Sequence, residues 1–160
     1  MSVFDERSAG GLVFRINEGR VFWLVIKFLS KKTLKNSGET AHITVYKFPK
    51  GHVQDLEVLK QTALREVEEE GRIKSRIISK IGSNDYILWD KETHKKIIKK
   101  VTFFLMEYEG ESDSRYTDHE VVLDREWFSF DHALEKLAYE SERKLLRIAA
   151  FRLDALLKSQ

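Results

Sequence analysis

The sequence has no cysteine, a single proline and no long hydrophobic run in its 160 residues. Without cysteine the chain has neither disulfide bonds nor thiolate metal ligands, and this composition suits the reducing cytoplasm, where we expect the protein to act. No apolar stretch approaches the roughly 18 residues that a membrane span needs, and the first residues lack the apolar core of a signal peptide. We therefore expect no membrane partner.

An excess of charge of one sign is also lacking, because 28 lysines and arginines nearly balance 26 acidic residues and leave a net charge of +2. This balance does not indicate a general nucleic-acid binder. The hydrophobic content of 42% can supply a core, and the length is that of a single domain. We expect one domain over residues 1–160; the sequence does not determine the oligomeric state, and a monomer is favoured.

Apolar runs separated by turn residues predict strands, then an acidic helix, then more strands and two further helices. This order is typical of an α/β protein with a mixed central sheet and helices on both faces. Residues 82–85, Gly-Ser-Asn-Asp, predict a turn, and Ser141 is the predicted N-cap of the last helix. The strands predicted at residues 8–14 and 21–26 form a buried hairpin. The other predicted strands are 43–48, 74–80, 86–89, the second half of 95–108, and 127–128, and the predicted loops are 31–40 and 110–118. The predicted helices are 132–138 and 141–157, the latter with Leu145, Ile148, Ala149, Arg152 and Leu156 on one face.

The central stretch, residues 48–73, combines a turn with an acidic helix. The turn is Pro49-Lys50-Gly51, and the helical pattern begins near Leu56. At about 100° per residue, Leu56, Ala63 and Val67 form one apolar stripe, with Leu59 at its edge. Glu66 and Glu70 border that stripe, Glu69 lies just beyond them, and Glu68 is predicted to point to solvent.

Three carboxylates on one side of a helix repel one another, each like-charged pair costing about 0.2–0.5 kcal/mol. They also lie near the helix C-terminus, where the macrodipole disfavours negative charge. A hard divalent cation would remove this penalty, because Mg²⁺ and Mn²⁺ prefer oxygen ligands. A solvated glutamate-rich surface is the simpler alternative for the run taken alone.

The full spacing resembles the box of the Nudix hydrolases. Glu57 follows Gly51 after five residues, and Arg65-Glu66-Val67 follows Glu57 after seven, with Glu69 and Glu70 completing the acidic positions. The departure is at the end of the box, where Arg72 occupies the position of the expected glycine and Gly71 comes one place earlier. This departure concerns the helix C-cap. The resemblance covers essentially the whole chain and implies the Nudix α/β/α sandwich.

The resemblance also implies a metal site and its chemistry. Glu66, Glu69 and Glu70, helped by the backbone carbonyl of Lys50, would hold one or more Mg²⁺ or Mn²⁺ ions. Glu66 or another glutamate would take the proton from the attacking water. Arg65 and Glu57 would orient the catalytic helix through an ion pair.

Three short features resemble the diadenosine tetraphosphate hydrolase branch of the family. They are the segment from Phe48 to Val53, Lys99 ahead of an aromatic strand, and His119-Glu120 ahead of Glu126-Trp127. By this resemblance Lys99 would contact the polyphosphate and Glu120 would join the metal site, although a strand-flanking lysine and a loop glutamate are more often simply solvated. His52 is a further phosphate-binding candidate or a structural turn histidine. The candidates for stacking on adenine are Tyr46, Tyr86, Phe103 and Tyr116.

The leading hypothesis is therefore a metal-dependent enzyme that splits diadenosine tetraphosphate asymmetrically into ATP and AMP. A second hypothesis is a Nudix enzyme for another substrate: a nucleotide sugar, a damaged nucleoside triphosphate or a capped RNA 5′ end. The third is a catalytically silent Nudix-fold module that binds nucleotides or RNA, which the lysines at 95, 96, 99 and 100 would favour. The expected partner is a small-molecule nucleotide substrate, and a nucleic acid is the less favoured alternative.

Overall fold

The computed structural model describes residues 3–114 and 121–160. Within these residues the chain forms seven strands and three helices. Their bounds are β1 Val3–Asn17, β2 Arg20–Thr33, β3 Thr40–Lys47, β4 Lys50–His52, α1 Leu59–Gly71, β5 Ile73–Asp90, β6 Lys95–Glu111, β7 Val121–Phe128, α2 Phe130–Lys136 and α3 Glu140–Lys158. No helix in this part of the chain is both long and apolar enough to cross a membrane.

The strands form one mixed sheet in the order β3-β2-β1-β6-β5, with β4 pairing β1 and β7 pairing β2. The predicted hairpin is confirmed, because β1 and β2 pair antiparallel up to Asn17 and Arg20. β1 and β6 pair in parallel, from Val3 with Lys96 to Phe14 with Glu107. The other strand pairs are antiparallel.

Helices cover both faces of the sheet, so the predicted α/β/α architecture is confirmed. Strand β6 shows the arrangement, since side chains alternate between the two faces of a strand. Phe103 and Leu105 belong to the core cluster beneath α2 and α3, whereas Phe104 and Met106 belong to the cluster beneath α1. The sheet is thus buried on both sides in its centre.

The turn predicted at residues 82–85 is wrong. β5 continues through it, and Gly82 to Asp90 pair in order with Phe103 to Lys95 of β6. The long-range ladder gives these backbone groups the partners that a local turn would otherwise give them. Register shifts at three earlier points absorb the irregularity of the sequence. The predicted loop at residues 31–40 is also shorter than expected, because β2 extends to Thr33 and β3 begins at Thr40.

Two predicted helix boundaries are wrong. Helix α1 starts at Leu59, and Leu56 lies before it with a positive φ of 65° and full exposure, so Leu56 is not part of the buried stripe. Helix α3 is capped by Tyr139, and Ser141 lies inside its first turn. The buried face of α3 is accordingly rotated from the prediction: Ile148 and Leu156 are exposed, and the buried residues are Glu142, Leu145, Leu146, Ala149 and Leu153.

Candidate active site

The turn between β3 and β4 is held tightly against β1. The amide of Gly11 donates to the Pro49 carbonyl at 3.1 Å, and β4 pairs antiparallel with Ser8–Gly10. A Cβ at Gly10 would overlap Pro49 and Lys50. The close approach of these two backbones therefore depends on glycine at position 10.

Helix α1 lies against the same turn. Its buried residues Ala63 and Val67 pack on the sheet, as the apolar stripe predicted. This orientation brings the Glu66 carboxylate so close to Gly51 that a Cβ there would overlap it. A side chain at position 51, the first residue of the box, would therefore displace the Glu66 carboxylate from its place.

The box glutamates differ in their surroundings. Glu66 and Glu70 are each only 3% exposed, and the Lys50 amide donates to Glu70 Oε1 at 2.7 Å. The Glu69 side chain is 26% exposed. Glu68 lies on another side of the helix, as predicted, but it is half-buried and accepts a hydrogen bond from Ser112 Oγ at 2.9 Å, so it does not simply point to solvent.

Arg65 connects these groups. Its Nε and Nη2 atoms donate to the two carboxylate oxygens of Glu57 at 2.8 and 2.9 Å, which is a bidentate pair. Its Nη1 atom donates to Glu66 Oε1 at 2.6 Å and to Glu69 Oε2 at 3.3 Å. Nη2 also donates to the His52 carbonyl at 3.0 Å. One guanidinium thus ties α1 to the segment that precedes it and to β4.

The pair of Arg65 and Glu57 is strongly favoured in its charged form. The hydrogen bonds from Arg65 lower the pKa of Glu57 to about 2, with further donors in Thr62 and the Gln54 amide. In return, the hydrogen bond to Glu57 raises the pKa of Arg65 above its usual value. The ion pair expected from the sequence is present in the fold.

The donor chemistry at this face fits a hard divalent cation, because all the candidate ligands are oxygen atoms. The space above Gly51 is taken by the Glu66 carboxylate and not by a side chain of the turn. The predicted convergence of three carboxylates is not preformed, however: over residues 3–114 and 121–160, no three acidic or histidine side chains meet around one point. The physical reason is that Arg65 holds Glu66 and Glu69 while the Lys50 amide holds Glu70.

The displaced glycine at the end of the box has a structural explanation. Arg72 is the C-cap of α1 in the left-handed conformation, with φ 54° and ψ 39°. Gly71 is the last helical residue, and a Cβ there would lie 2.7 Å from Leu24 Cδ2. Arg125 of β7 donates to the carbonyls of Gly71 and Arg72 at 2.7 and 3.0 Å. The helix end is thus closed by packing and by Arg125 instead of by a glycine cap.

Two of the aromatic residues predicted to stack on adenine pack against other side chains of the protein. Phe103 is 1% exposed in the core, which leaves no ring face for a nucleobase. Tyr46 packs against Phe128 with ring centroids 5.6 Å apart. Burial raises the pKa of the Tyr46 hydroxyl, and a hydrogen bond to Glu126 raises it further. Tyr116 and Glu120 lie outside the residues that the structure describes.

Three further candidates lie near the turn or along the neighbouring strands. His52 is exposed, and its Nδ1 lies 3.4 Å from Ser8 Oγ. Lys99 is half-buried, and its pairing partners are Glu6 on β1 and Tyr86 on β5. Strand alternation places Lys99 on the same face as Phe103, the side of α3. Tyr86 is 41% exposed, so its ring is available for contact.

Sequence reasoning missed two residues that support this site. Arg125 closes the C-terminal end of α1, and no sequence pattern marked it. Glu142, on α3, is 3% exposed and accepts a hydrogen bond from the Phe48 amide at 2.9 Å. A signal for Glu142 did exist: it precedes Leu145, Leu146 and Ala149 with helical spacing, which puts a carboxylate on an apolar face.

Comparisons with known proteins agree with this geometry. A family model described as the NUDIX domain matches residues 6–148. The MutT4 protein of Mycobacterium tuberculosis (strain CDC 1551 / Oshkosh) is 29% identical over 157 residues. That alignment covers 98% of this chain and 59% of the relative, so the chain spans little more than half the length of that protein.

Solved structures with similar folds include an Ap4A hydrolase from C. elegans, with a TM-score of 0.60 and 21% identity over 94% of this chain and 99% of that one. The NUDIX domain of Shewanella oneidensis NrtR, crystallised with ADP ribose, has a TM-score of 0.57 and 16% identity over 96% of this chain and 90% of that one. At these identities the likeness concerns the fold alone. Because the family model extends from β1 into α3, the chain belongs to the Nudix family, as the spacing of the box led us to expect.

Proposed function

We propose that this protein is a metal-dependent pyrophosphohydrolase of nucleoside diphosphate derivatives, and that diadenosine tetraphosphate is its substrate. The observation that carries the metal-dependent hydrolysis is the arrangement around Arg65, which joins Glu57, Glu66, Glu69 and the turn at His52. The choice of substrate rests on the three short sequence features that resemble the diadenosine tetraphosphate hydrolase branch. Every acidic position of the box is present and lies on or beside this cluster. In the proposed reaction one water molecule is consumed, one phosphorus–oxygen bond breaks, and ATP and AMP are released.

The groups proposed to hold Mg²⁺ or Mn²⁺ are Glu66, Glu69 and Glu70, with the Lys50 carbonyl and Glu120 as further ligands. When bound, such an ion neutralises phosphate oxygens and lowers the pKa of a coordinated water. The protein's part is to keep the carboxylates in place. Burial of Glu66 and Glu70 beneath the turn supports this assignment, since buried carboxylates are held in few conformations.

Arg65 and Glu57 act as positioning residues in this proposal. Their bidentate pair fixes the start of α1 against the preceding segment and leaves Nη1 to orient Glu66 and Glu69. A box glutamate, with Glu66 as first candidate, takes the proton from the attacking water. A carboxylate in this role must lie within hydrogen-bond reach of that water.

Lys99 is proposed to bind the polyphosphate and an aromatic ring to hold one adenine. Tyr86 is favoured over Phe103 for the ring, because Tyr86 is exposed and is paired with Lys99 across β5 and β6. Paired residues of neighbouring strands share a face. A base held at Tyr86 would therefore place its phosphates near Lys99, and His52 is the further phosphate contact at the turn.

Two other candidates each have one supporting observation. A different nucleoside derivative, such as ADP ribose, is favoured by the fold shared with the NrtR domain that was crystallised with it. A catalytically silent module that binds nucleotides or RNA is favoured by Lys95, Lys96, Lys99 and Lys100 on one strand. The complete set of box acids argues against the silent module.

A substrate panel at fixed Mg²⁺ or Mn²⁺ tests the proposal. Diadenosine tetraphosphate, ADP ribose, a nucleotide sugar and a nucleoside triphosphate are compared by kcat/KM, with products separated by chromatography. We expect diadenosine tetraphosphate to be preferred and to give equal amounts of ATP and AMP, and activity to stop with excess EDTA. Two ADP per substrate or a clear preference for ADP ribose would overturn the substrate, and full activity without metal would overturn the mechanism.

A further inference from the structure

A buried glutamate on α3 contacts the turn that carries Lys50, a proposed metal ligand, from the face of the sheet opposite α1. Glu142 is 3% exposed and lies in the first turn of α3, among the apolar residues of that helix. Its Oε1 atom accepts a hydrogen bond from the amide of Phe48 at 2.9 Å. Burial of a carboxylate is unfavourable unless specific partners compensate its charge. We therefore expect Glu142 to have such partners nearby.

The surroundings of Glu142 show what compensates its charge. Burial raises the pKa of Glu142 to about 7, while the hydrogen bond from Phe48 and the positive charges of Lys50 and Lys47 act in the opposite direction. All three of these partners belong to the end of β3 and the turn that follows it. Among the described residues, the groups that compensate the charge of the Glu142 carboxylate therefore all come from the end of β3 and this turn.

The turn needs this partner because its backbone is outside the ladders. β3 ends at Lys47 and β4 begins at Lys50, so the Phe48 amide has no strand partner there, and Phe48 itself is fully buried. A buried amide requires an acceptor. Glu142 is that acceptor, 94 positions away in the sequence.

Three consecutive residues of the turn are thus each held by a different element. Phe48 donates to Glu142 of α3, Pro49 accepts from Gly11 of β1, and Lys50 donates to Glu70 of α1. A shift of the first residue would move the third, because the two are joined through the fixed φ of proline. Lys50 also pairs with Gly10 of β1, so its position beside Glu70 is held from β1 directly and from α3 through Phe48.

We propose that Glu142 is a positioning residue of the metal site: from α3 it fixes Phe48, and thereby sets the Lys50 carbonyl and the Glu70 carboxylate in the geometry that the divalent cation requires. This inference rests on the proposed function, since it names a residue that serves the same site. Glu142 does not touch the substrate or the ion, and it acts through the backbone of the turn.

Two substitutions of Glu142 separate its hydrogen bond from its charge. Glu142→Gln keeps an oxygen acceptor of the same reach and removes the charge, whereas Glu142→Leu removes the acceptor and matches the apolar face of α3. Leu153→Ala is the matched control, because it creates a core defect on the same buried face of α3, about 16 Å further along the helix than Glu142. Mn²⁺ binding without substrate, measured by electron paramagnetic resonance, is the principal readout, with thermal unfolding, kcat and KM alongside.

We expect Glu142→Leu to weaken Mn²⁺ binding at least tenfold and to lower kcat with KM nearly unchanged. We expect Glu142→Gln to stay within about threefold of the parent, as retention of the acceptor predicts. Leu153→Ala should lower the melting temperature without weakening Mn²⁺ binding. Amide hydrogen exchange should show faster exchange at Phe48 in the leucine variant only.

Parent-like Mn²⁺ binding in Glu142→Leu would overturn the positioning role, as would equal weakening in Leu153→Ala, which would mean that lost stability alone explains the effect. Equal losses from the glutamine and leucine variants would overturn the hydrogen-bond account. A parent protein that neither binds Mn²⁺ nor hydrolyses any nucleotide would instead overturn the proposed function, and the exchange rate at Phe48 would still report whether Glu142 holds the turn.

Discussion

At the scale of single residues, neighbouring glutamates of one helix have different environments. Glu70 is buried and accepts a hydrogen bond from the Lys50 amide. Glu68 is half-buried, and the hydrogen bond described for its side chain comes from the Ser112 hydroxyl. The two side chains lie two residues apart, which is about 200° around a helix. Their chemical similarity makes them a matched pair for a substitution experiment.

We expect Glu70→Gln to lower kcat by roughly two orders of magnitude, as loss of a catalytic-metal ligand does. Glu68→Gln should leave kcat within about threefold of the parent, because the amide oxygen still accepts the hydrogen bond from Ser112. Both constants are measured on the preferred substrate at saturating Mg²⁺. Equal losses from the two substitutions would contradict the assigned register of α1.

At the scale of elements, helix α1 ends in an unusual way. Its C-cap is an arginine in the left-handed region, where an L side chain costs about 1–2 kcal/mol relative to glycine. The hydrogen bonds at this end involve the backbone carbonyls of Gly71 and Arg72 and not the Arg72 side chain. The helix end therefore retains a strain that a substitution can release.

We expect Arg72→Gly to raise the free energy of unfolding by about 1 kcal/mol, measured by chemical denaturation. The contrasting variant is Lys60→Gly, at an exposed position in the first turn of α1, which should lower the free energy of unfolding by less than about 1 kcal/mol. A destabilised Arg72→Gly protein would show that the arginine side chain contributes more than its backbone strain costs.

At the scale of the whole molecule, stability should depend on pH through the ion pair of Glu57 and Arg65. The pKa of Glu57 is lowered to about 2 in the folded protein, so the unfolded chain binds a proton more readily. The stabilisation is present above the ordinary glutamate pKa and is lost as the pH falls toward 2. The free energy of unfolding should therefore decrease over this window.

In Glu57→Gln, the free energy of unfolding should fall less steeply as the pH is lowered. The titrating carboxyl is gone, while the amide oxygen still accepts a hydrogen bond from Arg65. The measurement is denaturant unfolding in metal-free buffer at several pH values from neutral to about pH 3. Glu92→Gln, at an exposed turn without an ion pair among the described contacts, is the control. An unchanged slope in Glu57→Gln would show that other carboxylates cause the acid sensitivity.

Local patterns were sufficient for some features of the molecule and insufficient for others. The box spacing, the apolar stripe at Ala63 and Val67 and the first hairpin were all predictable, because their interactions lie within one element or between neighbours. The turn at residues 82–85 was wrongly predicted because β6 pairs with that segment. The contact of Glu142 with Phe48 was missed because a helical pattern does not show which distant backbone needs an acceptor.

The parallel pairing of β1 with β6 determines the order in which the molecule can be completed during synthesis. β1 lies in the middle of the sheet, yet its parallel neighbour is made only when the ribosome reaches residues 96–107. Until then, Leu12 and Val13 lack the contacts that β6 provides, although both are fully buried in the folded protein. Such non-local pairing is slow to form and leaves apolar surface exposed meanwhile. The nascent chain therefore carries its candidate catalytic helix before the sheet beneath that helix is complete.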